Sequence, residues 1–302
     1  TAAGSWRTAN SMNTARAYIS GAGTYTATIA FGGEAPPASA LTELYNGTNW
    51  TEVNDLNQAN EGTGSSGTST SALKFGGSSA APGRATELWN GTNWTEVNDL
   101  GAGRSYIAGF GASNTSAVAS GGYSPSVTGA TETWNGTNWT EVNDLNTARA
   151  ELRGAGIITS GLIVGGTEDP PAVNNTETWN GTNWTEVNNL NTARQSLGAS
   201  GAGGTNTAAL AFGGTQGSSP TVTANRELWN GTNWTEQNNL SSARFANGGS
   251  GGNSTNVLSF GGRTTAPAII ALTEEWIGAG QPIGVWATST SINTGRDILS
   301  AS

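Results

Sequence analysis

Cysteine and histidine are both missing from this chain of 302 residues. The first absence excludes disulfides and thiolate metal sites and leaves the compartment open. The second removes the commonest general base and the commonest metal ligand. Charge is scarce: 11% of residues are Asp, Glu, Lys or Arg, and the net charge is −9. The basic residues are scattered singly, so no nucleic-acid partner and no anionic-membrane surface is expected. No apolar run approaches the roughly 20 residues of a membrane span, and no membrane insertion is expected. The chain opens at Thr1 without an initiator Met or signal peptide, as a processed product or a segment of something longer would.

What is abundant is small. Gly alone accounts for 45 residues, and a composition this rich in Gly, Ser, Thr and Asn raises the question of disorder. The 12 Trp residues answer it, because a disordered chain has no reason to space Trp regularly. One phrase recurs five times, as Tyr45–Trp50, Trp89–Trp94, Trp134–Trp139, Trp179–Trp184 and Trp229–Trp234, each aromatic pair enclosing Asn-Gly-Thr-Asn. Its second Trp stands at 50, 94, 139, 184 and 234, and more loosely at 286, at intervals of 44, 45, 45, 50 and 52 residues. A period in that range marks stacked or circular repeats forming one folding unit.

Within one period the patterning predicts four short strands. Residues 149–156 form a small-residue strand and Leu162–Val164 an apolar strand ended by Gly165-Gly166. Thr176–Trp179 alternates polar and apolar, Asn180–Asn183 is a turn, and Trp184–Val187 is the return strand. A four-residue loop places Trp179 opposite Trp184 as a cross-strand pair. Diglycines recur at Gly32-Gly33, Gly76-Gly77, Gly121-Gly122, Gly165-Gly166, Gly213-Gly214 and Gly261-Gly262. Four strands per period, a diglycine after the second and Trp in the fourth resemble a kelch repeat. The resemblance covers essentially the whole chain and implies an all-β, six-bladed β-propeller of four-stranded antiparallel blades over residues 1–302, with 287–302 as an extension or linker. Trp50, Trp94, Trp139, Trp184 and Trp234 are expected to be structural wedges between blades.

Comparison of the repeats separates a rigid feature from a variable one. Ten residues part the outer-strand aromatic from a following Arg position every time: Trp6–Arg16, Trp50–Asn60, Trp94–Arg104, Trp139–Arg149, Trp184–Arg194, Trp234–Arg244 and Trp286–Arg296. This corner is expected to be packed. The loops between second and third strands, residues 34–40, 78–85, 123–130, 167–175 and 215–225, differ in length and sequence. Corners and loops should share one face, the usual construction of a binding face. In some kelch propellers arginines at the start of the first strand line a pocket for acidic ligands. That resemblance makes Arg16, Arg104, Arg149, Arg194 and Arg244 candidate ligand contacts, beside Tyr123, Glu168 and Asp169 of the variable loops. The alternative is that each Arg bonds carbonyls or a neighbouring Glu of its corner; Asn60 already breaks the set.

No catalytic residue, metal site or cofactor is assigned. The carboxylates repeat in every blade, whereas catalytic groups usually occur once. They read instead as solvated blade edges that discourage aggregation. The Asn-Gly-Thr triplets match glycosylation acceptors, yet a tight turn explains them without sugar. The blade phrase also resembles kelch-type repeats in structural proteins of marine bacteriophages. That likeness implies a non-catalytic attachment module on a virion surface, such as a tail fibre. Its partners would be other virion proteins or a host-cell surface, protein or glycan, and it could be a homo-oligomer. The alternative is a secreted, extracellular lectin-like or adhesion propeller binding a saccharide. For ring closure, residues 3–8 are expected to pair with Thr273–Trp276, releasing 281–302 to run outward, with Trp286 as the competing candidate.

Overall fold

The computed structural model describes residues 4–78, 81, 83–200, 206–217, 221–252, 254–265 and 268–278. They form six four-stranded antiparallel sheets in a ring and no helix, the six-bladed propeller that the repeat predicts. Blade four shows the plan: Arg153–Ile157 innermost, then Ser160–Val164, Thr176–Trp179 and Trp184–Val187 outermost. The inner strand begins at Arg153, later than the periodicity suggests, because the corner occupies residues 149–152. Inner strands of neighbouring blades approach closely around the axis. A Cβ added at Gly109 would lie 2.5 Å from the Ser65 backbone nitrogen of the preceding blade, so the narrow axis requires glycine there. In the loop of blade five, Thr215–Gln216 and Thr221–Val222 add a two-stranded ribbon.

The repeated phrase folds locally for a simple reason. Asn180 Oδ1 accepts the backbone N–H groups of Thr182 and Asn183 at 2.9 and 2.8 Å, and Gly181 takes φ +95°. The side chain thus supplies the turn's own acceptor. The turn brings Trp179 directly opposite Trp184, their rings 5.1 Å apart. The same pairing recurs at Tyr45–Trp50, Trp89–Trp94, Trp134–Trp139 and Trp229–Trp234.

Neither tryptophan is buried by its own blade alone. Trp179 and Trp184 pack against Phe110 and Val118 of blade three, and Trp229 and Trp234 against Leu162 and Val164 of blade four. The outer-strand indoles of blades one to five also donate to a threonine on the third strand of the preceding blade, Trp94 to Thr42, Trp184 to Thr131 and Trp234 to Thr176 among them, at 3.0–3.2 Å. The core is therefore six clusters, one per blade interface. At the same interfaces the third-strand Trp89, Trp134 and Trp179 are wholly buried. Trp139 is the half-buried member of the outer set.

An outer belt joins the blades as well. Asn54, Asn98, Asn143 and Asn188, just past each outer strand, reach the next hairpin and donate to the Thr carbonyl and the Asn Oδ1 of its turn. Closure follows the N-terminal route. Ser5–Ala9 pairs antiparallel with Thr273–Ile277, Trp6 facing Trp276, as the fourth strand of blade six. Asn238 completes the belt by donating to the Gly4 carbonyl at 2.7 Å. The expectations placed on 281–302 and Trp286 lie outside the described residues.

Truncating Trp184 to Ala should lower unfolding free energy by about 3–5 kcal/mol, the range for a buried large aromatic. Truncating Thr131, its partner across the interface, to Val should cost about 1 kcal/mol, the net worth of one hydrogen bond. Chemical denaturation of both variants checks the ordering.

Candidate functional site

The ten-residue corner ends in a guanidinium with a defined task. Arg149 is fully buried. Its Nη1 donates to the carbonyls of Gly165 and Asn175, at 3.0 and 2.9 Å, and its Nη2 to Glu177 Oε1 at 2.8 Å. Those two carbonyls flank the variable loop 167–175, so one side chain staples both ends of the loop. Arg16 holds Gly32, Leu41 and Glu43, and Arg194 holds Gly213, Asn225 and Glu227. Arg104 does the same with Gly121, Ala130 and Glu132, while Arg244 holds Leu272 and Glu274. The second glutamate oxygen accepts the corner's own N–H groups, from Asn146 onto Glu177 for instance. Burial lowers the pKa of these guanidinium groups, against the attraction of their glutamates.

This geometry follows the alternative reading of the arginines and corrects the expectation for the carboxylates. The five arginines do not line a ligand pocket; their donors are spent on loop ends and buried glutamates. Likewise the third-strand carboxylates Glu43, Glu87, Glu132, Glu177, Glu227 and Glu274 are buried partners, not solvated edges. The outer-strand Glu52, Glu96, Glu141, Glu186 and Glu236 are the exposed ones. Residue type does not distinguish the two sets; only the pairing of strands does.

Blade two lacks the corner arginine and compensates from another strand. Asn60 is too short to reach Glu87. Lys74, on the second strand Ser71–Phe75, places Nζ 4.0 Å from Glu87 Oε1 and 3.4 Å from the Ala85 carbonyl. Burial pushes the Lys74 ammonium down to about 8, with Glu87 opposing the shift.

Two residues past each corner position, the chain turns left-handed. Tyr18, Gly62, Tyr106, Glu151, Ser196 and Ala246 all have φ between 47° and 60°. Each N–H donates to the carbonyl of the equivalent residue in the preceding blade, and Tyr18 closes the circle onto Ala246, at 2.7–3.0 Å throughout. This ring of six hydrogen bonds surrounds the axis on the loop-bearing face. Left-handed backbone is unfavourable for the five non-glycine members, and the closed ring over-determines it. At Gly62 a Cβ would meet the Tyr106 ring at 2.8 Å, so glycine makes room for the edge-to-face stack of Tyr18 and Tyr106, 5.3 Å between centroids. Glu151 accepts from Ser196 Oγ and, at 3.1 Å, from Gln195 Nε2. Burial, then Glu151, pushes the Tyr18 phenol up to about 12.

Beside this mouth a cavity of about 200 Å³ opens between blades three and four, lined by Tyr106, Tyr123, Val127, Ala150, Glu151, Thr167 and Asp169. Bridges from Ser105 to Tyr123 and from Ala150 to Thr167 lay the loops against the corners, confirming that both share one face. Asp169 stands at φ 66°, its N–H donating to Thr167 Oγ1 at 3.0 Å. Of the candidate ligand residues, Tyr123 and Asp169 therefore meet in one cavity. Glu168 is exposed on the same loop and is not part of the lining. Tyr106 and Glu151 were missed by sequence reading, although reading two places past the corner arginine in each repeat would have singled them out. Among the described residues no group of carboxylates is arranged to hold a metal ion.

The blade-two exchange is testable. Lys74→Met leaves a buried, unpaired Glu87 and should cost about 3–5 kcal/mol. Adding Asn60→Arg should restore most of the loss by rebuilding the consensus corner. The unfolded chain binds more protons than the folded one between about pH 8 and the ordinary lysine value of 10.5. Stability contributed by this group therefore rises with pH across that window. Urea unfolding at pH 8 and pH 10 should show that rise in the parent and its loss in Lys74→Met.

The six four-stranded blades are compatible with a kelch-type repeat fold. No protein-family model matches the chain, and a search of curated proteins gives no significant match.

Proposed function

We propose that the protein is a non-catalytic attachment module that recognises a surface through its loop-bearing face. The observation that carries this reading is the cavity between blades three and four. Its lining includes Tyr123, Glu151 and Asp169, which no other blade repeats at the equivalent position. The stapled loop ends support the same reading: a loop anchored at both ends by one guanidinium can change sequence without disturbing the blade. The hairpin face presents the same Asn-Gly-Thr-Asn turn five times and offers little to discriminate between targets.

The likeness of the blade phrase to repeats of marine phage structural proteins supports a place on a virion surface. There the partner would be a host-cell surface or another virion protein. A saccharide is the second reading, favoured by one feature: two phenol rings and two carboxylates meet in a cavity the size of one sugar residue. Aromatic faces stack on sugar rings, and carboxylates accept hydroxyl hydrogen bonds.

Binding of the purified protein to bacterial cell surfaces and to a glycan array tests both. Tyr123→Ala with Asp169→Ala should weaken binding at least tenfold with the melting temperature unchanged, while the hairpin variant Thr137→Lys should bind as the parent does. Retention of binding after all the variable loops have been exchanged would overturn the assignment of the face.

A further inference from the structure

Blades one to five carry their outer strand on a hairpin, so a short turn decides which strand pairs with the third and in what register. Blade six has no such turn. Its third strand, Thr273–Ile277, receives Ser5–Ala9 from the other end of the chain. The apolar pattern does not single this segment out, because every outer strand begins with Trp and Trp286 offers one more copy.

Three positions break the repeat at this seam, and they touch one another. The residue after the outer-strand Trp is Thr51, Thr95, Thr140, Thr185 and Thr235 in blades one to five, and Arg7 in blade six. Directly across from it stand Leu44, Leu88, Thr133, Thr178 and Leu228, and in blade six Glu275. The third-strand aromatic is Trp in every blade except blade one, where it is Tyr45. Arg7 Nε donates to Glu275 Oε2 at 2.7 Å, with Nη2 on the same oxygen, and the Tyr45 hydroxyl donates to Glu275 Oε1 at 2.6 Å. At three other interfaces the equivalent contact is apolar: Leu44, Leu88 and Leu228 pack against the clusters that hold Trp89, Trp134 and Trp276.

Glu275 and Tyr45 are buried, whereas Arg7 is exposed. A buried carboxylate admits a strand that brings a cation and penalises one that does not, because an unpaired buried charge is costly. Among the segments that begin with Trp in this pattern, only Ser5–Ala9 has a cation next; Ala287 follows Trp286. A slip of register along Thr273–Ile277 also parts the pair.

We propose that Glu275, with Arg7 and Tyr45, is a closure lock that selects Ser5–Ala9 for the outer slot of blade six and blade one as its neighbour, among segments that the repeat makes interchangeable. Fixing register and partner is the best-attested use of buried polar groups. Repeat proteins are otherwise prone to misassembly and strand exchange. The lock belongs to the scaffold, so it does not depend on the attachment reading.

A chain without cysteine makes the choice directly readable. In Ser5→Cys, Ile277→Cys, Val285→Cys, oxidation during refolding lets position 277 bond to position 5, its register partner, or to position 285. The bond to position 5 should prevail by roughly tenfold or more, the worth of hydrogen bonds to a buried carboxylate. Restoring the repeat with Arg7→Thr, Glu275→Leu and Tyr45→Trp should remove most of that excess. The melting temperature should hold, since Leu already meets Trp at other interfaces. In the chain without added cysteines, Arg7→Thr should speed hydrogen exchange of the Trp6–Thr8 amides by roughly tenfold, and adding Glu275→Leu should restore protection. An excess that survives the triple restoration, or exchange unchanged in Arg7→Thr, would overturn the proposal.

Discussion

A single blade of this protein cannot bury its own tryptophans. The pair on the third and outer strands finds its apolar partner on the second strand of the blade before it, and its indole acceptor on that blade's third strand. Every other feature follows from this dependence. Stability accrues by interfaces, and an open chain of blades would leave one face bare at each end. The N-terminal strand Ser5–Ala9 resolves this by entering blade six, which makes the ring continuous and ties down a terminus that would otherwise fray.

Polar groups set geometry where the apolar clusters set energy. Buried ion pairs contribute little net stability, because desolvation consumes most of the Coulomb attraction. Their value here is positional. Arg16, Arg104, Arg149 and Arg194 each fix the start and end of a loop relative to the third strand, and the axial ring of backbone hydrogen bonds fixes the corners relative to one another. Blade two shows that the requirement is for a cation beside Glu87, not for an arginine at the corner. A lysine arriving from a different strand satisfies it. The two solutions differ electrostatically, since lysine yields its proton far more readily than arginine when desolvated.

A rigid ring assembled this way leaves few places where one blade can differ from the next, chiefly the loops between stapled ends and the side chains of the left-handed ring. Several departures from sixfold sameness collect there. Tyr106, Tyr123, Glu151 and Asp169 gather on the loop face. The concentration of chemistry at these positions reflects mechanics. Elsewhere each residue of the phrase is already committed, as turn acceptor, belt hook, wedge or glutamate partner.

The period, the diglycines and the Asn-Gly turns determined the architecture by themselves, because these signals are local and the same local solution recurs. The constant ten-residue interval likewise marked the corner as packed. The loop residues Tyr123 and Asp169 could be singled out because they interrupt the repeat. What the corner arginines do was legible only as one of two readings. Whether a guanidinium faces a ligand or a buried glutamate depends on which strand lies beside it, and Glu177 is 28 residues from Arg149 in the chain. The same holds for Lys74 in place of Asn60 and for the meeting of Tyr106 with Asp169. These are relations between side chains distant in sequence, and only closure of the ring brings them within reach of one another.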